Sequence, residues 1–457
     1  MPEEAVEPKT SASSATSHGV GAPSTEISTE PYDPYKNRTL GKISDMYAFL
    51  HLVKCSFGTG VLTFPYGFKN AGMVLGFVIG IGVSIFLIYC FHMLIKNMMR
   101  IAADKRVPYI NYSEALQISF ETAGGKWAVM AKYSSIFVDS IIGLYHFGIC
   151  TAYVVYLVAS CMTMSRHKEF AEGAINIPRT VTTLIWVVPL FMINLLRDLR
   201  LLMPVSLLGN ITTMASMLVI VYYIVRPDDV GFSKDWQYVG TIEKAPLFIG
   251  TVLFAVESFG VIVAIEKDME KPKHFIGLFG VYNISMTVVV IWYLFIGAMG
   301  YWKYGDSKIG TTIVLTIPPD EYLAVSLQLT MILALYCSYP LQCYVVFDIF
   351  WYTYLEPKVK KGKYISELAF RFAITLATGL IGLTIPKLDL IVSLIGCVCI
   401  TFLGVIIPAL VEYNYFVVKH KWEKPFVLVK DVVLMALGVF AFLVGTYTSL
   451  YGLYQES

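Results

Sequence analysis

The chain reads as an all-α integral membrane protein, a bundle of eleven transmembrane helices, and three features of its sequence predict this. The first is bulk composition: 56% of the 457 residues are hydrophobic and 15% are charged, whereas soluble domains carry roughly 25% charged residues. The second is grouping. The apolar residues fall into blocks of about 20 or more, the length a helix needs to cross about 30 Å of hydrocarbon at 1.5 Å per residue. The third is that two of these blocks are interrupted midway by glycine and polar residues, which a helix facing lipid does not tolerate.

Residues 1–45 are rich in Ser, Thr, Pro, Glu and Ala and lack a basic stretch followed by an apolar run. They are expected to form a disordered cytosolic tail with no cleaved signal peptide. The apolar segments follow at 46–69, 74–96, 128–163, 180–196, 202–225, 246–265, 275–301, 322–352, 366–384, 389–416 and 426–452. They divide into a first repeat, 46–225, a second, 246–416, and an extra helix, 426–452, with 453–457 as a short C-terminus.

An odd number of crossings puts the termini on opposite sides, and the basic residues of short loops set the direction. One alternating set of loops holds Arg100, Lys105 and Arg106, then Arg197 and Arg200, then Lys267, Lys271 and Lys273, then Lys358, Lys360, Lys361 and Lys363, then Lys419, Lys421 and Lys424. The opposite set is poorer in basic residues, so the first set and the N-terminus are placed in the cytoplasm and Ser457 outside or in a lumen. Four glycosylation sequons, at Asn37, Asn111, Asn210 and Asn283, then fall in the cytoplasm or in membrane helices and should carry no glycan. The eight cysteines lie within or at the ends of apolar blocks without metal-ligand spacing, and read as small hydrophobes with no disulfide framework. A net charge of +2 points to no nucleic-acid partner.

Segment one runs His51-Leu-Val-Lys-Cys-Ser-Phe-Gly-Thr-Gly-Val61. Glycine lacks the Cβ penalty, so Gly58-Thr59-Gly60 leaves helical geometry cheaply. Its freed N–H groups, with the start of the next half-helix, would hold a carboxylate. Segment six runs Phe254-Ala-Val-Glu-Ser-Phe-Gly260, where unwinding would bare carbonyls able to accept hydrogen bonds from an ammonium group. Each segment is first in a set of five, the arrangement of an inverted-repeat transporter with a midplane site between repeats. Close helix packing at small residues is the alternative use of such glycines.

These residues resemble the proton-coupled amino acid transporters of the amino acid/auxin permease family over nearly the whole membrane portion. His51-Leu-Val-Lys-Cys-Ser-Phe-Gly-Thr-Gly-Val-Leu62, with Pro65 and Lys69-Asn-Ala-Gly72, is similar to the family's H-L-L-K-x-x-x-G-T-G-x-L and K-N-A-G. Ala255-Val-Glu-Ser-Phe-Gly260 with Ile265-Glu266 is similar to A-F-E-G-I-G. Arg197-Asp-Leu-Arg200, Gly300-Tyr-Trp-Lys-Tyr-Gly-Asp306, Tyr339-Pro-Leu-Gln342, Ile385-Pro-Lys-Leu-Asp-Leu390 and Ile407-Pro408 complete the ordered set. The resemblance implies a LeuT-like 5+5 inverted repeat with broken helices one and six. It also implies symport of protons with small neutral amino acids such as glycine, alanine and proline, in plasma or endolysosomal membranes. Ser258 and Phe259 replace the family's Gly-Ile, which alters the pocket, and no outer-loop cysteines are present for the extracellular disulfide of mammalian members.

The expected substrate site comprises Phe57, Gly58, Thr59, Gly60, Glu257, Ser258, Phe259, Gly260 and Tyr153, the last matching a third-helix family stretch. His51 and Glu257 are the expected proton-coupling residues. His51 lies seven residues before Gly58 on the same helical face, matches the family's coupling histidine, and belongs to the side-chain type that titrates near neutral pH. Glu257 is an acid at membrane depth, where ionisable groups are costly and usually functional. Lys54 reads as a structural partner of a carboxylate, Asp139 and His146 as a candidate relay, and Glu412 as an interfacial carboxylate.

No cofactor and no metal are implied, and no paired aspartates, His-Glu-x-x-His motif, nucleophile motif or phosphate-binding loop points to an intramembrane enzyme or an ATP-driven pump. Spacing leaves sodium coupling open, with helix-one carbonyls and Ser338 as ligands, as well as an amino-acid-sensing receptor role. The partners are therefore an amino acid, protons and the bilayer, with the oligomeric state open.

Overall fold

A computed structural model describes residues 32–38, 41, 43–165, 177–197, 199–226, 232–256, 259–318, 321–385, 387–417 and 425–456. The described chain is helical apart from its loops and one isolated bridge between Ile43 and Met269. Its helices in chain order are α1 (Asp45–Ser56), α2 (Thr59–Ala71), α3 (Met73–Lys105), α4 (Tyr112–Ala123), α5 (Trp127–Ser165), α6 (Arg179–Ile193), α7 (Leu199–Val225) and α8 (Ala245–Val256). They continue as α9 (Phe259–Asp268), α10 (Val281–Lys308), α11 (Ile313–Thr316), α12 (Tyr322–Val346), α13 (Lys363–Thr384), α14 (Leu388–Ile395), α15 (Ile407–Glu412) and α16 (Pro425–Glu456). Wider π-helical turns extend α12 through Leu355 and join α14 to α15.

Among the described residues, eight helical stretches are long and apolar enough to cross a membrane, and α6 is a shorter apolar helix. Segment one is the pair α1 and α2, and segment six is described as α8 and α9 on either side of residues 257–258. The α2 half packs on α8 and α10, α8 packs on α14, and α12 packs between α5 and α7. The stretch Leu388–Tyr415 is mostly buried in this bundle, while α16 lies against its outside.

Two sequence expectations shift. The segment expected at 275–301 is α10, Val281–Lys308. The apolar run Gly277-Leu-Phe-Gly280 turns instead, with Gly277 at φ 136°, and the helix runs on to a kink at Gly305 (φ 68°) in its polar end Lys303–Lys308. The other is α4, which lies between apolar segments two and three. Its N-terminus is a capping box in which the Asn111 side chain accepts from the backbone and Glu114 accepts from the Asn111 N–H at 2.9 Å. The Asn111 sequon is thus part of a helix start. Asn283, in another sequon, donates to the carbonyl of Gly277 at 2.8 Å and holds the same turn.

The last residues of the expected tail make specific contacts. Arg38 is buried and paired with Glu266 of α9 at 2.9 Å, with side-chain exposures of 5% and 3%. Its guanidinium also donates to the Pro108 carbonyl at 2.8 Å and to Met99 Sδ of α3, and lies 5.1 Å from the ring centres of Tyr35 and Tyr109. Backbone hydrogen bonds from Ile43 to Asp268 and from Glu270 to Ile43 continue the strap. A buried arginine must fill its five donors, and here three elements supply them. At the edge of the strap, Asp33 pairs with Lys273 at 2.7 Å, which holds the carboxyl below its ordinary range.

Candidate functional site

The break in the first crossing is two residues long. Helix α1 ends at Ser56, Phe57 (φ −77°, ψ 95°) and Gly58 (φ −142°, ψ −151°) are extended, and α2 starts at Thr59 with no side chain capping its first N–H groups. The carbonyl left bare at Ser56 accepts from the Tyr293 hydroxyl of α10, a contact that supports the break from behind. Phe57 sits with its ring 6.1 Å from Trp292 and 6.2 Å from Tyr293.

The two glycines of the break do different things. A Cβ on Gly60 would lie 2.7 Å from Ala255 Cβ and 2.8 Å from Ala255 Cα, so α2 and α8 touch backbone to backbone at this point. A Cβ on Gly58 would meet nothing within 4 Å among the described residues. Gly60 is therefore the close-packing glycine, and Gly58 borders open space beside the uncapped start of α2. Ala255 is next to the end of α8 at Val256, and α9 resumes at Phe259. The Gly60–Ala255 contact thus sets the first break beside Ala255 and Val256, the last described residues of α8. Glu257 and Ser258 lie outside the described residues, as does the side chain of Phe259, and Gly260 follows it in α9.

Tyr153 of α5 is buried, hydrogen-bonds with Gln342 of α12, and lies within electrostatic reach of Cys55 and of Tyr293. Gln342 also accepts from His146 Nδ1 at 2.6 Å, leaving His146 Nε2 buried without a hydrogen-bond partner. Asp139 has a separate partner, the Tyr354 hydroxyl at 2.7 Å, so Asp139 and His146 do not join in a relay.

His51 is placed differently from the expectation. The buried stripe of α1 is Ala48, Leu52 and Ser56, and His51 is exposed. Counting seven residues from His51 to Gly58 assumes one continuous helix, and the extended Phe57 and Gly58 reset the helical phase. Lys54 is half-buried, and no described carboxylate pairs with it. Ser338 donates to the Ala334 carbonyl at 2.8 Å and lies against Gly209 of α7, where an added Cβ would stand 3.1 Å from its hydroxyl. Its hydroxyl is occupied on the α7 side of the crossing. Glu412 pairs with Lys430 at 2.6 Å. Among the described residues, no cluster of three His, Cys, Asp or Glu could hold a metal ion.

Several of the recurring motifs build the ends of the bundle. Tyr301 donates to Asp306 at 2.7 Å, and Lys69 donates to the Asp306 carbonyl at 2.8 Å, tying α2 to the end of α10. Arg197 meets Glu367 at 3.4 Å, and the buried Arg371 meets the same carboxylate at 2.8 Å. Arg226 clasps Glu321 at 2.7 Å across the ends of α7 and α12. Arg226 and Tyr223 hold this exposed carboxylate below its ordinary range. A depressed carboxylate keeps its pair above the folded-state pKa and loses it only as pH falls through that value, so mild acid leaves the clasp charged. Tyr293 is not signalled by the sequence, because an apolar segment gives no sign of which polar side chain faces a break, and Gln342 enters it only as the end of the Tyr339-Pro-Leu-Gln342 match.

Residues 41–451 match the family of transmembrane amino acid transporter proteins. The chain belongs to that family. Curated relatives include the proton-coupled amino acid transporter-like protein pathetic of Drosophila melanogaster, 27% identical over 92% of this chain and 87% of that protein. The probable amino acid transporter skat-1 of Caenorhabditis elegans is 25% identical over 91% of each. Among solved structures, the inward-facing conformation of Mhp1 superposes with a TM-score of 0.56 over 90% of each chain at 13% identity. The transporter therefore has the LeuT-like fold, with its first crossing interrupted at Phe57 and Gly58.

Proposed function

We infer that the chain is a secondary active symporter that carries small neutral amino acids of the glycine, alanine and proline class together with protons by alternating access. The observation that supports this reading is the break at Phe57–Gly58, where a Cβ on Gly58 would meet no described atom within 4 Å, beside uncapped N–H groups at the start of α2 and next to the last described residues of α8. A helix N-terminus favours an anion, and carbonyls at the end of α8 favour an ammonium, so a zwitterion fits between them. Phe57, Thr59, Gly60 and Tyr153 border this space, with Glu257, Ser258, Phe259 and Gly260 completing it across the second break. The family supplies the amino acid, and the printed name of the Drosophila relative favours protons.

The proposed architecture has two repeats, 46–225 and 246–416, with 426–452 as an eleventh crossing, the N-terminus cytoplasmic and the C-terminus outside or lumenal, in plasma or endolysosomal membranes. His51 and Glu257 carry the coupling proton. Protonation favours the outward-facing state that admits substrate. In proteoliposomes, His51→Ala is expected to abolish acid-driven accumulation of labelled alanine and to spare alanine–alanine exchange. Accumulation at the native level by this variant would remove His51 from the mechanism.

A further inference from the structure

One face of α3 changes character along its length. Val74, Val78, Ile81, Ile85 and Tyr89 are exposed at 45–63%, and the same three-to-four-residue stripe continues as His92, Lys96 and Arg100. From Val74 to Lys96 the stripe spans about 33 Å at 1.5 Å per residue, close to one hydrocarbon thickness of about 30 Å. An apolar stripe ending in cations at one membrane interface has the polarity profile of a phospholipid.

At the cationic end the stripe forms one wall of a crevice of about 730 Å³, closed by the 276–283 turn, Glu412 of α15 and Lys430 of α16. Lys430 is paired with Glu412 at 2.6 Å and Asp431 at 2.9 Å. Arg100 bonds Asn97 at 3.1 Å and approaches Glu412 at 3.8 Å. Among the cations that line the crevice, Lys96 is thus exposed with no ion-pair partner among the described residues, a positive charge available to an anionic headgroup. His92 holds the turn: its Nε2 accepts from the Gly277 N–H at 3.2 Å and its Nδ1 donates to the Ile88 carbonyl at 3.0 Å. At the tip of that turn Leu278 and Phe279 are 80% and 85% exposed, apolar side chains at the depth where acyl chains begin.

We propose that this crevice between α3, the 276–283 turn and α16 binds an anionic glycerophospholipid of the adjoining leaflet, with its phosphate at Lys96 and Arg100 and its acyl chains along Ile85, Ile81 and Val78. Basic pockets between transmembrane helices on the cytoplasmic side are suited to such headgroups. Placing this leaflet on the cytoplasmic side rests on the topology proposed above. Lipid binding itself is read without transport, so a failure of proton coupling would leave it standing.

The test is lipid retention by the full chain purified in neutral detergent and exposed to equal amounts of phosphatidylserine and phosphatidylcholine, measured by native mass spectrometry. The native chain is expected to retain phosphatidylserine preferentially. Lys96→Gln should weaken retention about fivefold and the double variant Lys96→Gln/Arg100→Gln about 25-fold, as follows from about 1 kcal/mol per basic side chain at an anionic surface. Lys96→Gln changes an exposed, unpaired side chain, so its unfolding temperature should match the native chain and make the comparison fair. Glycerophosphoserine, which lacks acyl chains, should not displace the lipid. Equal retention of the two lipids, an unaltered Lys96→Gln chain, or displacement by the soluble headgroup would each overturn the proposal.

Discussion

Gly58→Ala is expected to leave a folded, membrane-inserted chain whose KM for alanine is strongly raised, whereas Gly60→Ala destabilises the fold itself. The backbone of Gly58, at φ −142° and ψ −151°, is open to any L residue, and its added methyl group meets nothing within 4 Å among the described residues. Such a change costs folding little and narrows the unfolded ensemble slightly. The methyl group would nevertheless occupy the space beside the first N–H groups of α2, where the substrate carboxylate is proposed to sit. Losing one charge-assisted hydrogen bond, about 1.5–3 kcal/mol, corresponds to a KM raised about 10- to 150-fold. At Gly60 the new atom would stand 2.8 Å from Ala255 Cα, a backbone atom that cannot swing aside. Overpacking of this kind costs about 1–3 kcal/mol. Surface level, unfolding temperature in detergent and alanine uptake, measured on both variants, separate the two roles. If both glycines failed in the same way, by misfolding, the open space at Gly58 would have no connection with substrate.

The second large effect concerns the strap before α1. Arg38→Met leaves Glu266 as an uncompensated buried carboxylate, since the pair is 5% and 3% exposed. Breaking a buried ion pair from one side costs about 3–5 kcal/mol, while replacing both partners with apolar groups of similar volume is often neutral. Arg38→Met should therefore lower the unfolding temperature sharply, and Arg38→Met/Glu266→Leu should recover most of the loss. The pair ties α9, which borders the second break, to α3 through Met99 and to the 108–109 turn. A double variant no more stable than Arg38→Met would show that the guanidinium's other contacts, and not the charge pair, dominate.

Much of this fold is legible in the sequence because bilayer thickness imposes a length on every crossing. Both breaks are legible for a different reason, since Gly58-Thr59-Gly60 and Glu257-Ser258 interrupt apolar runs where a plain spanning helix needs no interruption. The division of labour between Gly58 and Gly60 is not, because whether a glycine faces space or a neighbouring backbone depends on α8, nearly 200 residues away in the chain. The orientation of His51 does not follow from periodicity because periodicity does not survive two extended residues. The helix α4 is signalled by Asn111-Tyr-Ser-Glu114, a capping pattern hidden behind a sequon reading of the same asparagine. Arg38 gives no signal, since a lone arginine in a polar stretch looks the same whether it is solvated or buried against Glu266.

The most direct test of proton-coupled amino acid transport is lumenal pH in proteoliposomes holding the purified chain and a trapped pH-sensitive dye, with no sodium present. If alanine and protons cross together, adding alanine outside acidifies the lumen in step with alanine entry. Alanine entry with no acidification, or acidification that appears only when sodium is supplied, would contradict proton coupling.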